Sequence, residues 1–105
     1  MSLEIDSRGN GGSTRITVRG EVDLYTSPDL RTAIMDAVPE APVGVELDLG
    51  GVEYMDSSGV ATLVEGFKRA RELDKVFVLV GPSRAVTKVL ELTRLDSVFE
   101  IREAS

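Results

Sequence analysis

The stretch from Gly51 to Gly59 most constrains the fold, because it joins two runs of different periodicity. Before it, apolar and polar residues alternate from Val43 to Leu49, which is the period of a half-buried strand. After it, apolar residues recur at helical spacing from Val60 onward. The sequence therefore predicts a strand that delivers an aspartate and two serines onto the first turn of a helix. Unpaired backbone N–H groups and the helix dipole favour negative charge there.

A hairpin and a helix are predicted before this strand. Alternating residues lie on both sides of a Gly/Asn-rich segment, Arg8 to Gly12, which is typical of a turn between antiparallel strands. Further along, Ser27 is expected to cap a helix that has Pro28 in its first turn. Pro39 is expected to end that helix.

Two more strands and a helix are predicted after the serine turn. The continuous apolar run Val76 to Val80 indicates a strand buried on both faces, Ser83 is a candidate cap for the next helix, and Val98 to Ile101 fits a short last strand. The fold class is therefore α/β, in the order β-β-α-β-α-β-α-β, as one domain over residues 1–105. Polar residues alternate with apolar ones in the early strands, so we expect a single mixed sheet with helices mainly on one face.

Composition excludes several classes of function. The 105 residues include no Cys and no His, which removes thiol nucleophiles, the usual zinc ligands and the commonest general base. The net charge of −6 argues against binding to nucleic acid, which requires clustered Lys and Arg. We recognise neither a signal peptide nor a segment able to span a bilayer in the sequence. No membrane association and a cytoplasmic location are therefore expected.

Ser57 and Ser58 have two interpretations. A serine before a helix is commonly a plain N-cap, whose oxygen accepts a backbone hydrogen bond. The same position also suits a phosphate, because a helix N-terminus favours an anion. Gly59 is either a simple turn residue or a position where the missing side chain lets another backbone approach the helix.

Asp56 and its neighbours offer little support for catalysis. An aspartate at a strand end resembles the phosphoacceptor of receiver domains, but that chemistry needs an acid pair on the first strand and a lysine after a late strand. The early strands carry Arg15 and Arg19 instead, and no nucleotide-binding glycine motif is present. Glu46 and Asp48 are expected on the wet face of a strand rather than around a metal. We therefore predict no catalytic residues, no metal and no cofactor.

A second polar segment, from Gly20 to Asp23, is expected to follow the second strand. Asp23 fits a turn in which its side chain bonds to nearby backbone. Leu24 and Tyr25 come directly after it, so an exposed contact surface is one interpretation and closure of the core's edge is the other.

These segments together are similar to the STAS family, which joins sulphate transporters and anti-sigma-factor antagonists. The resemblance rests on Gly20 to Asp23, the strand end at Asp48-Leu49, Tyr54 to Gly59 and the helix start at Gly81 to Ser83, and it covers roughly Leu3 to Arg102. The C-terminal helix that some relatives carry is expected to be short or missing after Ile101.

The resemblance implies a regulatory switch rather than an enzyme. The unphosphorylated protein is expected to bind an anti-sigma factor that is also a serine kinase, and so to free a sigma factor. Phosphorylation of Ser57 is expected to abolish this binding, and a protein phosphatase to restore it. The implied partner surface contains Asp23, Leu24, Tyr25, Asp56, Ser57, Ser58 and Gly59. The protein is expected to be a monomer. The alternative function is that of a stand-alone STAS subunit of a lipid-transport or other complex, without a kinase switch.

Overall fold

A computed structural model describes residues 2–104 and confirms the predicted element order. The elements are β1 (Leu3–Asn10), β2 (Ser13–Val22), α1 (Ser27–Glu40), β3 (Gly44–Met55), α2 (Ser57–Glu72), β4 (Val76–Val80), α3 (Arg84–Leu92) and β5 (Glu100–Arg102). They form one five-stranded sheet in the order β1-β2-β3-β4-β5. Only the β1–β2 pair is antiparallel, and each later neighbour is parallel, so the sheet is mixed as predicted.

The hairpin turn is tighter than the sequence suggested. Arg8 already pairs with Arg15 inside the sheet, and Asn10 pairs with Ser13, so only two glycines form the loop. Gly11 and Gly12 have φ values of +59° and +91°. Two positive φ angles in succession match the handedness of the flanking strands in a two-residue hairpin, and glycine adopts them without steric cost.

The helices cover one face of the sheet, as predicted. The strands from β2 to β5 step in one direction across the sheet, so right-handed crossovers place all three helices on the same side. On β3, Val45, Leu47 and Leu49 are fully buried and belong to the same core cluster as residues from all three helices. Between them, Glu46 and Asp48 lie on the open face, where Arg15 approaches their carboxylates at 3.9 and 4.0 Å.

The helix ends confirm some predicted caps and correct others. Ser83 caps α3 by accepting a hydrogen bond from the N–H of Val86 at 3.3 Å. The prediction that Ser27 caps α1 is wrong, because Thr26 occupies the N-cap position and Ser27 begins the helix, with Pro28 in the first turn. Pro39 does not end α1, which continues to Glu40. Proline has no N–H, so one hydrogen bond of the last turn is lost, but the turn still closes because the N–H of Ala41 donates to the carbonyl oxygen of Ala37 at 3.0 Å.

The two central strands are longer than predicted, and this positions the site. Gly20 to Val22 belong to β2 instead of following it, and β3 continues beyond the alternating run through Gly51 to Met55. The pairing of β2 with β3 shifts register twice and then resumes, so that Val22 lies beside Met55. Both strands therefore end at the same level, each directly before an aspartate.

Among the described residues, no helix has the length and apolarity to cross a membrane.

Candidate functional site

Two aspartate turns meet at one edge of the sheet. Asp23 follows β2 and Asp56 follows β3, and the carboxyl ends of neighbouring parallel strands lie side by side. The turns are joined directly, because the backbone N–H of Asp56 donates to the carbonyl oxygen of Val22 at 3.1 Å. Residues that are more than thirty positions apart in the chain thus lie next to each other at this edge.

Asp56, and neither serine, is the N-cap of α2. Its backbone is extended, and its side chain accepts from the N–H of Ser58 at 2.9 Å and from the N–H of Gly59 at 3.4 Å. The Ser58 hydroxyl donates to the same carboxylate oxygen at 2.5 Å. The interpretation of Ser57 or Ser58 as the cap is therefore wrong. Aspartate combines the capping acceptor with a negative charge that the helix dipole favours.

The environment of Asp56 stabilises its ionised form. The hydrogen bond from the Ser58 hydroxyl, followed by the backbone bonds from Ser58 and Gly59, lowers the pKa of Asp56 below its ordinary value. Partial burial acts in the opposite direction but does not cancel these bonds. The start of α2 therefore carries a fixed negative charge at neutral pH.

The two serines differ sharply although they are adjacent. Ser57 is the first residue of α2 and is exposed, and its hydroxyl takes part in none of the hydrogen bonds found among residues 2–104. Ser58 is only partly exposed, and its hydroxyl points back to Asp56. Of the two serines, Ser57 therefore has the accessible and unengaged hydroxyl.

Asp23 lies below the surface and holds its own turn. It is only 7% exposed, and its carboxylate accepts from the N–H groups of Tyr25 at 2.9 Å and Thr26 at 3.0 Å. The Thr26 hydroxyl accepts from the N–H of Asp23 at 2.9 Å and donates to the carbonyl of Glu21 at 2.8 Å. This network presents Leu24 and Tyr25 to solvent, with exposed fractions of 68% and 87%.

Gly59 is buried and serves the chain's own core. A Cβ atom there would lie 2.6 Å from Met55 Cγ and 2.8 Å from Val22 Cγ1. Of the two interpretations of Gly59, the approach of another backbone is not what the structure shows, since side chains from the ends of β2 and β3 fill the space. Gly59 and Asp23 shape the surface from beneath, while the other five predicted surface residues are fully or partly exposed: Leu24, Tyr25, Asp56, Ser57 and Ser58.

Tyr54 is also exposed at this edge, although the predicted partner surface did not include it. Its side chain is 48% exposed, and its Cα pairs with that of Glu21 in the sheet register. Glu21 Oε1 is buried and has no hydrogen-bond partner among the described residues. Since Met55 points into the core, strand alternation by itself places Tyr54 on the outside. That alternation was the signal available in the sequence.

Comparison with known proteins decides the family. The family model described as "Mlab, STAS domain" matches residues 5–102. This chain belongs to the STAS domain family. The anti-sigma-B factor antagonist of Listeria monocytogenes is 33% identical to this STAS domain over 102 residues, covering 97% of this chain and 89% of that protein.

Solved structures agree with the family assignment. An anti-sigma factor antagonist from Mycobacterium paratuberculosis is 28% identical and superposes with a TM-score of 0.86, over 96% of this chain and 86% of its own. Bacillus SpoIIAA in its phosphorylated form, at 20% identity, has the same fold, with a TM-score of 0.76 over 99% of this chain and 92% of its own.

The chemistry available at this edge of the STAS domain is limited. Within residues 2–104, no three acidic, His or Cys side chains come together in a way that could hold a metal ion. The carboxylate of Asp56 is engaged by two backbone N–H groups and one hydroxyl. What the site offers is an exposed serine hydroxyl beside exposed apolar side chains, an arrangement suited to protein recognition.

Proposed function

We propose that this STAS domain is an anti-sigma factor antagonist controlled by phosphorylation of Ser57. Its unphosphorylated form binds an anti-sigma factor that is also a serine kinase, which releases a sigma factor. Phosphorylation of Ser57 abolishes binding and a protein phosphatase restores it. The protein acts in the cytoplasm as a monomer and has no catalytic turnover of its own.

The exposed hydroxyl of Ser57 is the observation that carries this proposal. It lies on the first residue of a capped helix, and the adjoining turn presents Leu24 and Tyr25 to solvent. Adjacent exposed apolar side chains that form one patch are typical of a contact surface. The names of the curated relatives support the class of partner, an anti-sigma factor.

A phosphate on Ser57 changes the interface far more than the fold. It adds about −1.5 to −2 charges at neutral pH, which the start of α2 tolerates because the helix dipole favours an anion. Against a docked partner, the same group must lose water on a surface that met a neutral hydroxyl. A 100-fold loss of affinity requires only about 2.7 kcal/mol, and an uncompensated buried charge costs more than that.

The proposal is tested by titrating the cognate anti-sigma kinase with matched variants. Ser57→Ala should bind as the wild type does and resist phosphorylation, while Ser57→Asp should bind at least about tenfold more weakly. Ser7→Asp places the same charge on the exposed strand β1 and should bind normally. Undiminished binding by Ser57→Asp and by the phosphoprotein would support the alternative, an interaction subunit of a lipid-transport or other complex without a switch.

The contact surface is tested separately. Tyr25→Ala should weaken binding, whereas Leu92→Ala, at another highly exposed apolar residue, which lies on α3, should not. If the two substitutions changed the affinity for the partner equally, Tyr25 would not belong to the contact surface.

Two further measurements test the remaining parts of the proposal. Light scattering at several concentrations checks that the protein is a monomer. Steady ATP hydrolysis by the purified protein would contradict the absence of catalytic turnover.

A further inference from the structure

We propose that Asp56 determines which of the two adjacent serines carries the phosphate. This inference rests on the proposed switch and adds a specificity-determining residue to it. Ser57 and Ser58 share the same helix end and the same dipole, so neither feature distinguishes them. The difference lies in their relation to the Asp56 carboxylate.

Ser58 is blocked by the hydrogen bond that it donates. Its Oγ lies 2.5 Å from Asp56 Oδ1. When a kinase transfers the γ-phosphoryl group of ATP, the Oγ–P bond forms, the bond from the γ-phosphorus to ADP breaks and ADP leaves. The hydroxyl then loses to the kinase's base the same proton that it donates to Asp56. The product would have no proton to donate, and a phosphate dianion would lie against a carboxylate. That carboxylate cannot move aside freely, because it also accepts from the N–H groups of Ser58 and Gly59. A phosphate on Ser58 therefore opposes the cap of α2.

Ser57 has no such obstacle. Its hydroxyl is exposed and is not used by any hydrogen bond of the described residues, so esterification breaks no contact of the cap. The backbone bonds from Ser58 and Gly59 to Asp56 remain intact. Asp56 thus engages the hydroxyl of Ser58 and leaves that of Ser57 free to react.

The first test needs only the purified protein, with phosphoserine encoded genetically at position 57 or 58. In the native background, phosphoserine at 58 should lower the thermal midpoint by about 4–8 °C, which corresponds to loss of a cap in a domain of this size. Phosphoserine at 57 should change it by less than about 2 °C. In Asp56→Asn, which keeps a capping oxygen without the charge, the decrease caused by phosphoserine at 58 should fall by at least half.

Equal shifts for the two positions, or an undiminished decrease in Asp56→Asn, would overturn the inference. If the protein with phosphoserine at 58 does not fold, recovery of folding in Asp56→Asn takes the place of the midpoint, and no recovery counts against the role of Asp56. Asp56→Asn without phosphate is the reference for each comparison.

The second test uses the cognate kinase and ATP, with sites mapped by mass spectrometry. Ser57→Ala should be phosphorylated only slowly, and Ser57→Ala combined with Asp56→Asn should gain phosphate on Ser58 at least tenfold faster than Ser57→Ala alone. An unchanged rate would refute the selectivity while leaving the switch intact. A wild type that no anti-sigma kinase phosphorylates would refute the switch, whereas the thermal comparison still judges the role of Asp56 by itself.

Discussion

The turns at Asp23 and Asp56 are built from the same residue at the same place in adjacent strands, yet they serve different ends. Asp23 is buried, and its carboxylate accepts only from its own loop, so the turn is held from within. Asp56 lies nearer the surface and caps a helix, so its carboxylate orders the first turn of α2 around two serines. The inward carboxylate of Asp23 fixes the turn that exposes Leu24 and Tyr25, whereas the carboxylate of Asp56 fixes the helix start that exposes the Ser57 hydroxyl.

The comparison predicts that the buried turn contributes more to stability than the cap. Asp23→Ala leaves the N–H groups of Tyr25 and Thr26 without their acceptor in a partly buried turn. Each such loss costs about 1–3 kcal/mol, so we expect a decrease of about 3 kcal/mol in the free energy of unfolding. Chemical denaturation measures it. Asp23→Asn keeps an acceptor oxygen and should lose less than half as much; equal losses would mean that the charge, and not the hydrogen bonds, holds the turn.

The next largest loss of stability is expected at Gly59, which packs against the ends of both strands. Gly59→Ala places a Cβ against Met55 Cγ and Val22 Cγ1, both closer than 3 Å, at the ends of the two strands. Overpacking of this kind costs about 1–3 kcal/mol, and we expect about 2 kcal/mol in chemical denaturation. Gly9→Ala is the control, because a Cβ atom at that position on strand β1 would meet nothing within 4 Å. A loss at Gly9 as large as that at Gly59 would contradict packing at the turns as the cause, because Gly→Ala by itself lowers the entropy of the unfolded chain and favours folding.

The sequence predicted the order of elements because each has an unambiguous period, but it underestimated β3. Alternation is regular through Val45, Leu47 and Leu49, and then two exposed glycines precede the buried Val52. That interruption resembles a strand end. The strand continues because it stays paired with β2 across the register shifts, a contact between distant segments that no local pattern records.

The sequence named candidate residues for the site but not the arrangement of their side chains. The sequence brought Asp23 and Ser57 together only through the family resemblance. Which side chain caps α2 depends on a helix start that differs by a single residue, and Asp, Ser and Thr all cap well. Burial of Asp23 and Gly59 depends on packing between β2, β3 and α2, which only the folded structure shows.

The cap at Asp56 should contribute less than the buried turn and should depend on pH. Asp56→Ala is expected to lose about 1 kcal/mol of unfolding free energy at pH 7. Because folding lowers the pKa of Asp56, its contribution is complete above the unfolded value of about 3.9 and is lost as the pH falls through the lower folded value. Denaturation of the wild type and the variant between pH 7 and pH 2 should therefore show their difference shrinking in acid. A difference that grows in acid would contradict the ionised cap.

The smallest change in the free energy of unfolding is expected at Ser57. It distinguishes this exposed residue from the neighbouring residues whose hydrogen bonds hold the helix start. Its hydroxyl is exposed and outside the cap, so Ser57→Ala should change the free energy of unfolding by less than about 0.5 kcal/mol. Ser58→Ala removes a hydrogen bond to a carboxylate, which contributes more than a neutral one, and should lose about 1 kcal/mol. Parallel denaturation curves measure both variants. If Ser57→Ala lost as much as Ser58→Ala, the Ser57 hydroxyl would belong to the structural network of the turn, and its availability to a kinase would lose its physical basis.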